Sequence, residues 1–223
     1  MWGQIMTKSS QIKLYSYFRS SAAYRVRIAL NYKKIDYEYC AVHLTQDGGK
    51  QYTADYTKLN PLAQVPCLVH QNKVISQSMA IIQYLDDINP ASLLFPKDAY
   101  DRAVVTQLCE IVNSGIQPLQ NVSVTNRLEK NHMFSSEDSK KWIQFWNHKG
   151  LQAIEEILKK TAGTFCYGDS FTAADCFLIP QVFSANRFGV DLSTFSKINK
   201  INEHCLTLDH VQKASPSLQP DAS

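Results

Sequence analysis

Apolar positions follow two different periods along the chain, and the change falls near residue 90. In IKLYSYF (12–18), Ile12, Leu14 and Ser16 share one side, and the aromatic-rich stretch reads as a strand. In 21–32, Ala22, Ala23, Val26, Ala29 and Leu30 fall on one helical face. DYEYCAVHL (36–44) reads as a second strand, followed by a polar segment with a short helix around 48–57. PCLVH, a turn at Gln71–Asn72 and KVIS form a predicted β-hairpin. SMAIIQYLDDIN (78–89) has Ile81, Ile82, Leu85 and Ile88 at helical spacing and stops at Pro90. The predicted order is β-α-β-α-β-β-α. Its start implies a parallel strand pair with a right-handed crossover, and its hairpin adds antiparallel strands.

Beyond NPASLLFPK (89–97) the pattern is helical only. DAYDRAVVTQLCEIVNSGIQPLQ opens a helix, with Asp98 and Asp101 spaced like a cap and Pro118 placed to kink or interrupt it. A second helix covers SEDSKKWIQFWNHKGLQAIEEILKKTAG, with Gly163 as its stop. GDSFTAADCFLIPQVFSANRFG supplies a third, and LSTFSKINKINEHCLTLDHVQKA a last helical segment. The expected organisation is a domain over 10–90, a linker over 91–97, an all-helical domain over 98–214 and a fraying polar tail over 215–223.

Composition narrows the function classes. The 223 residues suit one large or two compact domains, and 44% hydrophobic with 19% charged residues supports a packed core. A net charge of +3 with no basic block argues against a nucleic-acid surface. No apolar run is long enough to span a bilayer, and MWGQIMTKSSQIK lacks the apolar core of a signal peptide, so a cytoplasmic location is expected. The six cysteines form no CxxC pair and no zinc-spaced cluster with histidine, so no metal is expected. They read as reduced thiols, mostly small core residues.

Four stretches carry candidate chemistry. Ser20 and Ser21 precede an apolar helix, where serines cap but also hold a hydroxyl beside free N–H groups. In QVPCLV (64–69), Pro66 stands before a strand, either as an ordinary trans proline at a strand edge or as a cis proline that turns the Val65 backbone outward. Gln77 and Ser78 lie at a helix start, which favours an anion; simple capping by Ser76 or Ser78 is the other reading. Thr172 and Asp175 form a capping box on a buried helix, a folding element.

Taken in order, these features resemble the cytosolic glutathione transferases. YSYFRSSAAYRVRIAL, LNPLAQVPCL, QSMAIIQYL, GIQPLQN and TAGTFCYGDSFTAADCFLIPQV resemble the zeta class in particular, over about residues 12 to 213. The resemblance implies an α/β plus all-α fold: an N-terminal thioredoxin-like domain followed by a C-terminal helical-bundle domain, usually as a homodimer. It implies glutathione as cofactor. Ser20 and Ser21 would lie beside its sulfur, with Ser20 the first candidate for holding the thiolate. The Val65 backbone, before Pro66, would pair with its cysteinyl unit. Gln77 and Ser78 would take the γ-glutamyl end, and Gln51 would approach the glycyl end. Gln117 and Asn121, four apart on one helical face, would complete the cleft. Arg187 would meet a substrate carboxylate. The implied activity is glutathione-dependent cis-trans isomerisation of maleylacetoacetate to fumarylacetoacetate, with conjugation or dehalogenation of small electrophiles. A detoxifying transferase without isomerase activity and a non-catalytic binding module are the alternatives.

The energetics suit that assignment. Lowering a thiol pKa by about two units takes roughly 2.7 kcal/mol. One charge-assisted hydrogen bond and a helix dipole supply about that much.

One position departs from the pattern. The zeta class reads SSC where this chain reads SSA, so Ala22 stands in place of a cysteine, and Tyr24 replaces a tryptophan. Ala22 cannot donate, ionise or form a mixed disulfide, which argues against a thiol transferase. Cys67 is expected to point into the sheet as a core residue. Of Arg25 and Arg27, one is expected on solvent and the other in an internal salt bridge.

Overall fold

Strand β1 (Ile12–Ser16) runs through the middle of the first unit, with β2 (Tyr37–Ala41) on one side and β3 (Cys67–His70) on the other. The structure, a computed structural model, describes residues 11–222. Residues 1–10 and 223, which include the first residue of the expected first domain and the last of the expected tail, lie outside the described residues. β1 pairs parallel with β2 and antiparallel with β3, and β4 (Lys73–Ser76) closes the order β2-β1-β3-β4. The crossover from β1 to β2 is helix α1 (Ser21–Tyr32). The β3–β4 hairpin turns at Gln71 and Asn72, both with positive φ (51° and 61°), as a two-residue primed turn requires. Helix α3 (Ser78–Ile88) follows. The β-α-β-α-β-β-α order is present as the pattern predicts. The segment expected as one short helix around 48–57 is instead two 3₁₀ turns, 46–48 and 50–52, and then α2 (Ala54–Leu59), because Gly48 and Gly49 hold positive φ and break the run.

Compact units divide the chain at Ser92/Leu93 and again at Leu208/Asp209. This differs from the expected boundaries in two respects. Leu94 and Phe95, inside the expected linker, are buried, and Leu94 O accepts from Ala173 N, so they belong to the helical unit. Helix α9 (Asp209–Ala214) and the residues after it belong to the sheet unit, where α9 packs on α1. The expected fraying tail is not one. Pro216 and Gln219 are buried, and the Gln219 amide donates to Lys213 O and Ser215 O. Polar composition alone could not show that these side chains fold back onto their own backbone.

The helical unit contains α4 (Ala99–Glu110), α5 (Val122–Asn131), α6 (Ser136–Thr161), α7 (Ala173–Arg187) and α8 (Ser196–Cys205). Asp98 caps α4 through Tyr100 N and Asp101 N. The helix continues as a π segment over Ile111–Ile116 and tightens to 3₁₀ at Gln117–Gln120, where Pro118 sits. Gly150 of α6 faces this π segment: a Cβ there would meet the Ile116 side chain at 2.3 Å. Helix α6 ends at Thr161 with Ala162 as its C-cap, and Gly163 is no left-handed cap. A Cβ at Gly163 would lie 2.7 Å from Gly168 O, so glycine is there for the close approach of the following turn. The Thr172–Asp175 box opens α7, and Asp175 also accepts from Cys166 N at 2.8 Å, tying that turn to the helix. The one helical segment expected after residue 191 is two helices, α8 and α9, in different units.

Candidate active site

Strand register gathers the candidate residues of the first unit at one end of the sheet. Ser16, last in β1, pairs with Ala41, last in β2. Tyr15 pairs with Cys67, first in β3, and Cys67 with Ser76, last in β4. The loop to Ser20, the Val65–Pro66 step, the start of α3 and the loop carrying Gln51 therefore all leave the same edge. Both α1 and α3 begin there, and neither has an acidic residue in its first turn. Their unpaired N–H groups leave partial positive charge at this edge.

Ser20 is the N-cap of α1. Its Oγ accepts from Ala23 N at 3.2 Å. Accepting one hydrogen bond leaves the hydroxyl proton available, so the cap orients Ser20 without using its donor. Ser21 is the first residue of the helix, is buried, and takes no part in the cap. Ala22 follows, half-buried, in the first turn.

The Val65–Pro66 bond is cis. Neither the N–H nor the C=O of Val65 has a hydrogen-bond partner among the described residues. Val65 itself is 8% exposed, packed with Tyr17, Phe18, Val42, Tyr56 and Cys67. An edge of backbone with unspent polar groups is suited to an extended peptide. Gln51, also buried, donates to Leu44 O, while its Oε1 is buried without a hydrogen-bond partner among the described residues.

Gln77 is the N-cap of α3, with φ 74° and ψ 119°, a conformation that costs a non-glycine residue energy. Its side chain is exposed and makes no cap. Ser78 is buried, and Arg25 Nη1 donates to its Oγ at 3.1 Å. Capping by Ser76 or Ser78 is thus not what opens this helix.

Both arginines of α1 are fully buried, which corrects the expectation of one on solvent. The helix is covered on nearly every side by the sheet, α3 and α9, so no face is left for an exposed arginine. Arg27 Nη2 donates to Phe18 O, Nη1 to Ser16 Oγ and Tyr17 O, and Nε to Ala214 O. Arg27 is thus held by a set of mostly carbonyl acceptors. Cys67 is buried, as expected, and burial pushes its thiol up to about 11, away from thiolate chemistry. None of the six cysteines is in a disulfide, and five are buried.

In the helical unit the four-residue spacing of Gln117 and Asn121 does not make one helical face. Gln117 opens the 3₁₀ turn, and Asn121 is extended (φ −62°, ψ 141°) as the N-cap of α5, accepting from Ser123 N. Pro118 forces the break. Gln120 between them is held in a buried amide cluster: its Oε1 accepts from Asn147 Nδ2 and Gln181 Nε2, and its Nε2 donates to Ser184 Oγ. Arg187 ends α7, exposed, its guanidinium over the Phe188 ring at 4.7 Å.

Sequence reasoning missed Arg25 behind Ser78 and the 209–222 segment beneath the serine loop. Arg25 does stand three residues after Ala22 and four before Ala29, on the apolar face, and that was the one available signal. The long-range return of 209–222 has none.

The chain is similar to known proteins over nearly its whole length. The family "Glutathione S-transferase, N-terminal domain" matches residues 10–87, and "Glutathione S-transferase, C-terminal domain" matches 148–205. A maleylacetoacetate isomerase of Dictyostelium discoideum is 44% identical over 219 residues, 97% of this chain and 98% of that protein. A bacterial maleyl pyruvate isomerase, described as a zeta-class glutathione S-transferase, superposes with a TM-score of 0.91 at 38% identity, covering 95% of this chain and 100% of its own. A maleylacetoacetate isomerase of Anaeromyxobacter dehalogenans, solved with glutathione in its active site, gives 0.83 at 39% identity over 96% of this chain and 98% of its own. The chain belongs to the glutathione S-transferase family, within the zeta class that holds the maleylacetoacetate isomerases.

Proposed function

We propose that the chain is a glutathione-dependent cis-trans isomerase that converts maleylacetoacetate to fumarylacetoacetate, a step of tyrosine and phenylalanine catabolism. The observation that carries this is the set of unspent polar groups at one sheet edge: the Val65 backbone, the Ser20 proton and two helix N-termini without acidic residues. These residues fit glutathione. The Val65 N–H and C=O pair with its cysteinyl unit beside Pro66. Ser78 and Gln77 hold the γ-glutamyl carboxylate and amine at the start of α3. Gln51, buried in the segment before β3, approaches the glycyl end. Ser20 donates its proton to the sulfur while its lone pair stays on Ala23 N, and Ser21 stands beside it.

When bound, glutathione would supply a thiolate nucleophile for reversible addition to the cis double bond, which can rotate only once addition has made it single. The chain's own part is to keep that sulfur ionised and fixed. A hydroxyl donor and the α1 dipole both favour the anion. Gln117, Asn121 and Arg187 serve the acidic substrate, Arg187 as partner to a carboxylate. The protein works as a cytoplasmic homodimer.

A second reading has its own observation. Ala22 leaves the first turn of α1 without the family cysteine, which favours conjugation or dehalogenation of small electrophiles over isomerisation. The test is isomerisation of maleylacetone, a substrate analogue, with and without glutathione, in wild type and Ala22→Cys. Glutathione-dependent turnover by wild type supports the isomerase. A silent wild type with an active Ala22→Cys supports the detoxifying transferase. Binding of glutathione without any turnover supports a non-catalytic module.

A further inference from the structure

The backbone of the loop between β1 and α1, residues 17–20, is held from two directions. Its carbonyls at Tyr17 and Phe18 accept from Arg27, which comes from the helix the loop itself leads into. Its amide at Phe18 donates to Asp221 Oδ2 at 3.1 Å, a residue 203 positions away. The other carboxylate oxygen, Oδ1, accepts from Tyr39 Oη of β2 at 2.6 Å. Asp221 is therefore fixed by a strand on one side and grips the loop on the other.

The same segment reaches the second half of the candidate site. Ala222 packs against the cluster that contains Tyr17, Phe18 and Val65. The segment is itself anchored. Gln219 closes the turn onto Lys213 O and Ser215 O, Ala222 N returns to Gln219 O, and Arg27 Nε holds Ala214 O. A free surface tail would show none of this. A carboxylate accepting from a backbone amide is a charge-assisted bond, stronger than a neutral one. Ser20 lies two residues beyond Phe18, and Ser20 N donates to Tyr17 O, so the geometry of the loop sets where the Ser20 hydroxyl points.

We propose that Asp221 is a positioning residue for the thiolate site: it clamps the Phe18 amide, fixes the β1–α1 loop, and so holds Ser20 ready for the glutathione sulfur. The glutathione part rests on the function proposed above; the clamp itself does not. Loss of the clamp leaves Arg27 and α9 in place, so the unit stays folded while the loop opens more often.

The test uses the full chain as wild type, Asp221→Asn, Tyr39→Phe and, as control, Asp209→Asn, an exposed partner of Lys213. Asparagine turns an amide donor or a weaker acceptor toward Phe18 N–H. Two readouts are taken: amide hydrogen exchange of the protein without ligand, and the dissociation constant and thiolate absorbance of bound glutathione. The expected result for Asp221→Asn is exchange faster by about tenfold, confined to 17–21, together with weaker glutathione binding and less thiolate. Tyr39→Phe gives the same pattern at smaller size, and Asp209→Asn leaves it unchanged. Unchanged exchange at 17–21 overturns the proposal. Faster exchange across the whole unit overturns it too, since Asp221 is then a general stabiliser. Faster loop exchange with unchanged glutathione affinity and thiolate overturns the link to Ser20. A wild type that does not bind glutathione overturns the functional reading instead, while loop exchange still decides the clamp.

Discussion

Arg25 reaches from inside α1 to the first residue of α3 and donates to the Ser78 hydroxyl at 3.1 Å, with both side chains out of solvent. The contact joins the two helices whose N-termini form the candidate glutathione edge. It also leaves the Ser78 proton free to donate outward, since the arginine uses only a lone pair. Ser78→Ala removes an acceptor from a buried guanidinium. The expected cost is about 1.5–3 kcal/mol, the range for hydrogen bonds to charged groups. It is read as a lower urea midpoint at unchanged slope. A midpoint equal to wild type would show that this contact carries little of the helix pairing.

Much of this edge was legible beforehand, and the reasons differ by residue. Ser20, Pro66 and Ser78 each sit at a junction between a strand and a helix or turn, where local pattern marks the boundary, and strand pairing then brings the junctions together. The expectation of one α1 arginine on solvent fails because charge usually marks solvent, while here the helix is enclosed on nearly all sides. Gln117 and Asn121 were placed on one helical face by counting, and Pro118 made the count invalid. The fold-back of 209–222 depends on partners some 180 to 200 residues away in sequence, such as Asn31 with His210 O and Phe18 with Asp221, which no local pattern encodes.

Ala22→Cys creates a thiol in the first turn of α1, where no acidic residue offsets the dipole. Its pKa is expected below the free value of ~8.5, by about one unit or more. The pH dependence of iodoacetamide alkylation measures it. Cys67 serves as internal contrast, since burial holds its thiol near about 11 and it stays unreacted in the native protein. A new thiol that titrates like free cysteine would remove the argument for an anion-favouring helix start.

The amide cluster of the helical unit is a stability element. Asn147 is fully buried, donates to Gln120 Oε1 and Ile143 O, and accepts from Gln181 Nε2 at 2.5 Å. Asn147→Ala removes one of the two partners of Gln120 Oε1 and of Gln181 Nε2 in a dry interior, leaving those two bonded to each other. The expected loss is about 2–4 kcal/mol, combining lost buried hydrogen bonds with a small cavity. Chemical denaturation reads it. Because Gln120 sits in the same turn as Gln117, which is proposed to serve the acidic substrate, the KM for that substrate is expected to rise as well.

His210 gives the docking of α9 a pH dependence. Burial holds its pKa below the ordinary value, with the Asp209 charge opposing, and its ring lies against Tyr32 of α1. A depressed histidine pKa means the unfolded chain binds the proton more readily. Its contribution is therefore present above the unfolded value of about 6.5 and is lost as pH falls through the lower folded value. Stability measured between pH 7.5 and 5 is expected to decline by less in His210→Gln than in wild type. Equal declines would place the acid sensitivity elsewhere.

The proposed function turns most directly on the state of the bound sulfur. The decisive measurement is a pH titration of thiolate absorbance for glutathione bound to wild type and to Ser20→Ala. The expected result is a bound thiol that titrates about two units below a free one in wild type and returns most of the way in Ser20→Ala. A bound thiol that titrates like free glutathione in wild type, or a shift that Ser20→Ala leaves untouched, would contradict it.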